Sequence, residues 1–483
     1  MHIVDILIFI VYLLGMLGIG WYFMRQNQNK EDYYVGGRNI GSWHIGLSVV
    51  ATDVGGGFSI GLGGLGFAMG LAGSWLLFTG LLGAWLAAVF LIPKIKKLEE
   101  NHTFYTFPQI FQHFYNPKVA LIAGIISGIG YIGFTSSQIL AGAKLASATV
   151  KSLDMTTALI IMGVVVVVYT VMGGIKAVIY SDTIQWIILM SGLIFIGIPI
   201  AIYKLGGWAS IRAALPPSFF DISNVSFIQV INWGVSIIPI WFVGMTLYQR
   251  IYACAGEKQA KKAWFIAGVF EYPIMAFMGV MLGLLSRVAA DAGMFAYLGY
   301  ESIANLDKEM GLPLLLRTVL PVGFLGIMLS AYFSAIMSTA DSCLMAASGN
   351  VVTDILGRFF NFSDQKMLRV SQLATLAIGA LALFLATFIQ NVLSLMLYSY
   401  SFMVSGLFVP LLGALYWRKS HPTAAIWAML LGGITTVVLS ILASSKSFSL
   451  PLGLDANIFG ISMSLITFIT LSNIFHKKES YEF

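Results

Sequence analysis

Apolar runs long enough to cross a membrane recur along almost the whole chain, and they constrain its fold more than any other feature. A membrane-spanning helix needs about 20 consecutive, mostly apolar residues. Charged residues make up only 10% of the 483 residues, whereas a soluble domain carries about 25%. A soluble fold is therefore not expected, and the sequence predicts an all-α protein that crosses a membrane many times.

These runs predict about thirteen transmembrane helices. No linker leads from them to a soluble domain, so we expect a single membrane domain. The predicted spans cover residues 3–24, 42–70, 73–94, 118–149, 154–174, 176–204, 226–254, 263–288, 313–349, 367–391, 392–416, 422–444 and 456–475.

The basic residues predict the orientation of the helices. Most of them lie in short connections that fall on one side if thirteen spans alternate, and cytoplasmic connections carry the excess of Lys and Arg. We therefore expect a plasma (inner) membrane protein with its N terminus outside and its C terminus in the cytoplasm. The net charge of +6 then reflects topology, so no nucleic-acid partner is expected. The residues concerned are Arg25, Lys30, Arg38, Lys94, Lys96, Lys97, Lys258, Lys261, Lys262, Arg358, Lys366, Arg369, Arg418, Lys419, Lys477 and Lys478.

Enzymatic activity is not indicated by the polar residues. The two cysteines, Cys254 and Cys343, lie near or inside apolar runs and have no metal-ligand spacing. No grouping of His, Cys or carboxylate residues predicts a hydrolytic site, so the chain is not expected to be an enzyme.

The stretch ATDVGGGFSIGLGGLGFAMG, residues 51–70, places an acid and a glycine triplet inside the second predicted span. Glycine is unfavourable inside a helix, so Gly55, Gly56 and Gly57 favour local unwinding, which exposes carbonyl groups to a bound ion. Glycines that simply allow close helix packing are the alternative. Asp53 favours the first interpretation, because an acid at this depth is by default a candidate functional residue.

A second interrupted helix is predicted within WGVSIIPIWFVGMTLYQR, residues 233–250. Pro239 removes a helix hydrogen bond, so we expect a bend or break near Ile237 to Trp241. An ordinary proline kink is the alternative. The segments 42–204 and 226–416 each hold five predicted spans and each begins with an interrupted one, the pattern of an inverted repeat.

A polar strip runs through SAYFSAIMSTADSCLMAASG, residues 330–349. Helical periodicity places Ala335, Ser338 and Thr339 on one face, and Asp341 and Ser342 continue the strip. Hydroxyl, carbonyl and carboxylate oxygens suit alkali ions, although membrane hydroxyls often bond only the preceding turn of their own helix. Asp182, in the sixth span, is another membrane acid that can pair with this strip.

Five segments resemble the signature segments of the sodium:solute symporter family, which includes sodium-coupled proline, sugar, sialic acid and pantothenate transporters. They are EDYYVGGRNIGSW (31–43), the Ala51-Thr52-Asp53 step, MGGIKAVIYSDTIQ (172–185), YQRIYACAGEKQAKKA (248–263) and SAIMSTADSC (334–343). The resemblance implies a leucine-transporter-type core of five plus five inverted-repeat helices. One helix precedes this core (3–24) and two follow it (422–475).

The resemblance also implies sodium as the coupling ion. It places the main sodium site on the carbonyls of Ala51, Val54 and Ala335 and the hydroxyls of Ser338 and Thr339. Family members that carry a second sodium use an acid that matches Asp182, beside residues that match Asp341 and Ser342. Because Asp341 stands where a hydroxyl is expected, the number of ions and the role of protons stay open.

The solute is not identified by the sequence. Ile237, Ile240 and Tyr398 match positions that are polar in the sugar transporters, so a sugar is not expected. Helix packing is an equally good explanation of Gln138 and the aromatic candidates. Two further charges within apolar spans have simpler explanations: Lys144 is expected to extend toward an interface, and Glu271 to pair with a basic group. The candidate solute-binding residues are Thr52, Asp53, Ser59, Gln138, Ile237, Trp241 and Tyr398, with Tyr400 beside them.

The sequence therefore predicts a sodium-coupled symporter that imports a small organic solute by alternating access within the lipid bilayer. The competing class is a membrane receptor that keeps the same fold and binds the solute to signal. Asp53 is predicted to supply negative charge near the sodium ion, and the oligomeric state stays open.

Overall fold

The computed structural model describes residues 2–26, 35–150, 153–172, 175–300, 306–360, 363–444 and 448–479. These residues are helical almost throughout, and the β pairing found among them is an isolated bridge between Ile40 and Cys254. The predicted all-α fold is confirmed. Lys30, the first four residues of EDYYVGGRNIGSW and residues 173–174 of the fifth predicted span lie outside the described residues.

Helices occupy each of the predicted spans, and several of those spans are built from two or more helices in series. In chain order the helices are α1 Ile3–Gln26, α2 Ser42–Met69, α3 Trp75–Leu86, α4 Ile92–Glu99, α5 Pro108–Phe114, α6 Pro117–Thr149, α7 Met155–Met172, α8 Ile175–Gly192, α9 Ile198–Lys204, α10 Gly207–Ala214, α11 Phe227–Val243, α12 Met245–Ala253, α13 Glu257–Val269, α14 Ala276–Asp291, α15 Gly311–Val319, α16 Phe324–Gly349, α17 Asp364–Ala386, α18 Val392–Tyr416, α19 Pro422–Ser444 and α20 Ala456–Glu479.

Among the described residues, nine helical runs are long and apolar enough to span a membrane, or ten if the bent pair α11–α12 is one span. Two predicted spans fall into a single run, Gly55–Glu99, of 45 residues. A straight helix of that length would be about 68 Å long, far more than the bilayer core. The chain turns between the two at Gly70, whose φ is 70°. Two shorter apolar helices, Ile3–Met16 and Met155–Val168, fall below this length.

The centre of the bundle is formed by α2 and α16. Helix α2 packs against α13, α14, α16 and α8, while α16 packs against α6, α8 and α1 as well. Within its run, Phe324–Arg358, 89% of the most apolar window is buried by other parts of the protein. The polar strip of α16 therefore faces protein, where hydroxyl and carboxyl groups can find partners.

In the described part of the chain, three interruptions break the central helices, that is, α2 and the helices beside it. In α2, Gly55 leaves the helical conformation with φ 39° and ψ −155°, as the glycine triplet predicts. Between α13 and α14, Tyr272 is extended, with φ −139° and ψ 125°. Between α11 and α12, Gly244 is extended, with φ −69° and ψ 112°, and the two helices are bent by 43°.

The predicted position of the break near Ile237 to Trp241 is wrong. Pro239 lies inside α11, and the break follows at Gly244. Glycine leaves the helical conformation at the least cost, and the break exposes the first N–H groups of α12. The hydroxyl oxygen of Tyr131, on α6, accepts a hydrogen bond from one of these groups, the N–H of Thr246, at 3.1 Å. A tertiary partner, rather than the proline, sets where the helix ends.

Candidate ion and solute site

The break in α2 is stabilised by two polar side chains that the sequence assigns to the solute. Ser59 Oγ donates to the carbonyl of Gly55 at 2.5 Å. Gln138 Oε1, from α6, accepts from the N–H groups of Gly56 at 2.8 Å and Gly57 at 3.3 Å. The backbone groups released by the break thus have partners within the protein, as they must in hydrocarbon.

The glycine triplet also permits close packing, so both explanations of it hold. A Cβ at Gly55 would lie 2.5 Å from Thr339 Oγ1. At Gly56 it would lie 2.6 Å from a side-chain carbon of Ile336, and at Gly57 it would lie 2.6 Å from the sulfur of Met396. These distances are shorter than van der Waals contact, so α16 and α18 reach the break only because the side chains are absent.

Carbonyl and hydroxyl oxygens meet beside this break. Thr339 Oγ1 donates to the carbonyl of Ala51 on α2 at 3.0 Å and to the carbonyl of Ala335 on its own helix at 3.1 Å. Three predicted sodium ligands are thus gathered around one hydroxyl group. Val54 lies next to Gly55 in α2. The fifth predicted ligand, Ser338, turns elsewhere, because its Oγ donates to Asp182.

The second predicted ion site contains an arginine that the sequence analysis did not include. The fully buried guanidinium group of Arg250, from α12, lies 3.7 Å from Asp182 Oδ2. The same oxygen accepts from Ser48 Oγ at 2.5 Å. A lone arginine inside the predicted span 226–254 was the signal that could have identified it, since buried charges in membranes are functional candidates.

Two more predicted residues bind this arginine. Arg250 donates through Nη2 to Thr52 Oγ1 at 2.5 Å and to Ser342 Oγ at 3.0 Å. Asp341 lies beyond them, where its Oδ1 accepts from Thr170, and its Oδ2 has no hydrogen-bond partner among the described residues. Thr52, predicted to bind the solute, therefore lies on the arginine side of α2.

Asp53 faces the other side of α2. Its Oδ1 accepts from Tyr400 Oη at 3.3 Å, and its carboxyl group lies within interaction range of Glu271. The ring of Tyr400 packs edge-on against Phe134, with centroids 5.1 Å apart. Asp53 and Tyr400 are thus brought together by α2 and α18.

The remaining predicted solute residues are divided between two places. Ile237 and Trp241 on α11 are fully buried, and the Trp241 ring lies 6.5 Å from that of Trp264. Tyr398 is instead 51% exposed and lines a groove with Ser440 and Asn457. The structure therefore groups Tyr400 with Asp53 and leaves Tyr398 apart.

Both expectations for the two further membrane charges are wrong. Lys144 does not extend to an interface: it is buried, and its Nζ lies 2.5 Å from Asp307 Oδ2 and 2.5 Å from Glu309 Oε2. The side chain of Glu309 is buried with it, whereas that of Asp307 is 42% exposed. Glu271 pairs with no basic residue among those described, and the polar side chain within its interaction range is Asp53.

The family model that matches this chain is the sodium:solute symporter family, over residues 33–432. Similar curated proteins include a high-affinity proline transporter of Bacillus subtilis (strain 168), 28% identical over 437 residues, which cover 88% of this chain and 89% of the relative. A sodium/proline symporter of Escherichia coli (strain K12) is 26% identical over 89% of this chain and 86% of the relative. The sodium/glucose cotransporter 1 of Oryctolagus cuniculus is 25% identical over 97% of this chain and 78% of the relative.

Solved structures share the fold. A substrate-bound, outward-open sodium-coupled sialic acid symporter superposes with a TM-score of 0.77 over 98% of both chains, at 20% identity. A nucleobase-cation-symport-1 family transporter in a closed conformation superposes with a TM-score of 0.57 over 93% of this chain and 96% of the other, at 10% identity. The predicted leucine-transporter-type fold is confirmed by this likeness.

Proposed function

Because the chain belongs to the sodium:solute symporter family, we propose a specific coupling site for its sodium ion, between α2 and α16 at Ala51, Val54, Ala335 and Thr339. Ser338 would join these ligands when its hydroxyl leaves Asp182. The protein is a sodium-coupled membrane symporter for a small organic solute, and not an enzyme. The competing receptor function has no support, because the relatives are named as transporters.

The observation that carries this proposal is the shared hydroxyl group of Thr339. It bonds two carbonyl oxygens, one from each of two helices, at a point where α2 is interrupted. Sodium prefers such hard oxygen ligands. An ion that enters between α2 and α16 would contact both carbonyls and the hydroxyl oxygen, so its binding would favour the conformation in which the two helices are close together.

A second ion at Asp182, Asp341 and Ser342 stays a prediction. Arg250 lies 3.7 Å from Asp182 and hydrogen-bonds Ser342, so a second cation would have to share these oxygens with a guanidinium group. A proton or sodium ion at this site therefore requires Arg250 to move or the free Oδ2 of Asp341 to take part.

Solute import would follow the sodium gradient. Each positive charge that enters is driven by roughly 2.3 kcal/mol per 100 mV of membrane potential. Rocking of the predicted repeats, 42–204 and 226–416, around the site near the two helix breaks would give alternating access. The proposed orientation, with the N terminus outside and the C terminus cytoplasmic, is supported by the basic residues in alternate connections.

The test is sodium binding by the purified full-length protein, measured as the rise in unfolding temperature when sodium replaces potassium. Thr339→Ala removes the bridging hydroxyl, and we expect the half-saturating sodium concentration to rise at least tenfold, about 1.4 kcal/mol. Thr375→Ala is the matched control, because the buried Thr375 hydroxyl bonds the carbonyl of Ser371 within its own helix, α17, at 2.8 Å. Equal sodium dependence in both variants would rule out the proposed site.

A further inference from the structure

Two buried acids lie side by side without a cation. Asp53 is 4% exposed and Glu271 is fully buried, and their carboxyl groups are within interaction range. No ion pair among the described residues includes either acid. Apart from each other and the Tyr400 hydroxyl, the two carboxyl groups have no hydrogen-bond partner in that part of the chain. Two carboxyl groups therefore meet at one place inside the protein with no basic side chain between them.

Both acids stand beside breaks in their helices. Asp53 lies two residues before Gly55, and Glu271 immediately precedes the extended residue Tyr272. Interrupted membrane helices mark binding sites, because irregular backbone at that depth is tolerated only where it is buried in protein or lines a cavity. The acids are thus located where two of the three interruptions of the central helices occur.

Helix α3 makes room for Glu271 and for an aromatic neighbour. A Cβ at Gly80 would overlap Oε1 of Glu271, and a Cβ at Gly83 would overlap Cδ1 of Trp241. Gly80 and Gly83 are three residues apart, hence neighbours on one face of α3. The Trp241 indole is fully buried, and its Nε1 has no hydrogen-bond partner among the described residues. The carboxyl group and the indole therefore lie about one helical turn apart.

We propose that Asp53, Glu271 and Trp241 form a subsite for a positively charged nitrogen group of the transported solute, as in an alkylammonium compound or the ammonium end of a zwitterion. Two neighbouring carboxylates repel each other when both are ionised, and a cation between them removes the repulsion. An indole face attracts the same kind of cation. The inference rests on the proposed function and names its solute class.

Sodium is the competing cation for this pair, and the surroundings favour nitrogen. The carbonyl and hydroxyl oxygens that suit sodium are gathered on the α16 side, around Thr339. Glu271 instead lies against Gly80 on α3, and Trp241 of α11 lies against Gly83 on the same face of that helix. An alkylammonium group can bind carboxylate and apolar surface at once, because its charge is carried on a hydrocarbon frame.

The test uses the purified full-length protein in saturating sodium. Its unfolding temperature is measured with choline, betaine, proline, glucose or N-acetylneuraminate. We expect one or more of the nitrogen cations choline, betaine and proline to raise this temperature, and glucose and N-acetylneuraminate to leave it unchanged. No shift with any of the three, or a shift with glucose or N-acetylneuraminate alone, would overturn the subsite.

Substitutions then locate the binding. Glu271→Gln should weaken binding of the active nitrogen compound at least tenfold without changing the half-saturating sodium concentration. Glu257→Gln is the matched control, since Glu257 begins α13, the helix that precedes Glu271, and forms an exposed pair with Lys261 at 3.0 Å. Trp241→Phe keeps an aromatic ring and should weaken binding less than Trp241→Leu, which tests the site even if Glu271→Gln folds poorly.

Three other outcomes would overturn the proposal. Unchanged ammonium binding in Glu271→Gln would mean that the pair holds a proton. A change in the sodium dependence alone would make it a sodium subsite. Equal weakening by Trp241→Phe and Trp241→Leu would remove the indole from the site. Failure of the proposed function is distinguishable from each of these, because it appears as the absence of any sodium-dependent stabilisation in the unsubstituted protein.

Discussion

Buried carboxylates on the two sides of α2 differ in the partners that the protein gives them. On one side, Asp182 accepts hydrogen bonds from Ser48 and Ser338 and lies 3.7 Å from the guanidinium group of Arg250. On the other side, Asp53 accepts from Tyr400 and lies within interaction range of Glu271, and neither acid is paired with a basic residue among those described. The difference separates an acid that the protein pairs with a cation from two acids that it leaves without one.

A third acidic cluster supports this comparison. Glu309 accepts from Lys144 and also from the N–H groups of Val392 and Leu393, at 2.9 and 3.0 Å, at the start of α18. Carboxylates are stabilised at helix N-termini, so Glu309 joins α6, α15 and α18. Of these acids, Asp182 and Glu309 are held by fixed partners, whereas the Asp53–Glu271 pair is not.

The largest effect is expected where a satisfied acid loses its cation. Arg250→Gln would leave Asp182 buried and unpaired, which costs roughly 3–5 kcal/mol of folding stability. We expect a marked fall in the unfolding temperature, measured in detergent. Addition of Asp182→Asn should restore much of the unfolding temperature, because both charges of the pair are then removed.

The control for this prediction is Arg287→Gln. Arg287 forms a more exposed pair with Asp291 at 2.9 Å, and surface pairs contribute about 0–1 kcal/mol. If Arg250→Gln is no more destabilising than Arg287→Gln, the two sides of α2 do not differ as the structure indicates.

A moderate effect, on binding instead of folding, is expected for the unsatisfied pair. Asp53→Asn removes a negative charge next to the proposed sodium site. Unit charges about 6 Å apart interact by roughly 3 kcal/mol at an effective dielectric constant of 20. We expect sodium affinity to fall at least tenfold. Solute affinity should fall through linkage with sodium and also through loss of the proposed direct contact with the ammonium group.

Folding stability should be kept in this variant, because one of two neighbouring acids is neutralised. Asp221→Asn, in an exposed loop where Asp221 bonds Ser223, is the control for the loss of an acid. A drop in unfolding temperature like that of Arg250→Gln would show that Asp53 is structural. Normal sodium binding together with lost solute binding would place Asp53 in the solute subsite alone.

How far the sequence predicted this arrangement depends on the range of each interaction. Apolar length and glycine content act locally, so the helices and the break at Gly55 were predicted. The position of the second break was not, because Gly244 depends on the Tyr131 hydroxyl, 115 residues away from Thr246 in sequence. Local sequence identifies residues at which a helix can break, and tertiary hydrogen bonds determine at which of them it does break.

The candidate site shows the same division. The polar strip of α16 and the acids at Asp53 and Asp182 are visible in the sequence, since charges and hydroxyls in apolar runs are conspicuous. Their partners are not. Lys144 meets Glu309 across 165 residues of chain, and nothing near either residue predicts the pairing. The proximity of Glu271 to Asp53 was equally hidden, because nothing near either residue predicts it.

The smallest expected effect concerns the hydrogen bond that Tyr400 donates to Asp53. Tyr400→Phe removes a donor 3.3 Å from Asp53 Oδ1 and leaves the ring packed against Phe134. A hydrogen bond to a charged group contributes about 1.5–3 kcal/mol. Because this bond is long, we expect its loss to cost about 1.5 kcal/mol of binding free energy or less. Sodium affinity should fall by about three- to tenfold, in the same direction as in Asp53→Asn. Tyr416→Phe, which removes a hydroxyl at the other end of α18, should change nothing. If Tyr400→Phe strengthens sodium binding instead, the hydroxyl competes with the ion for Asp53, and the carboxylate contacts sodium directly.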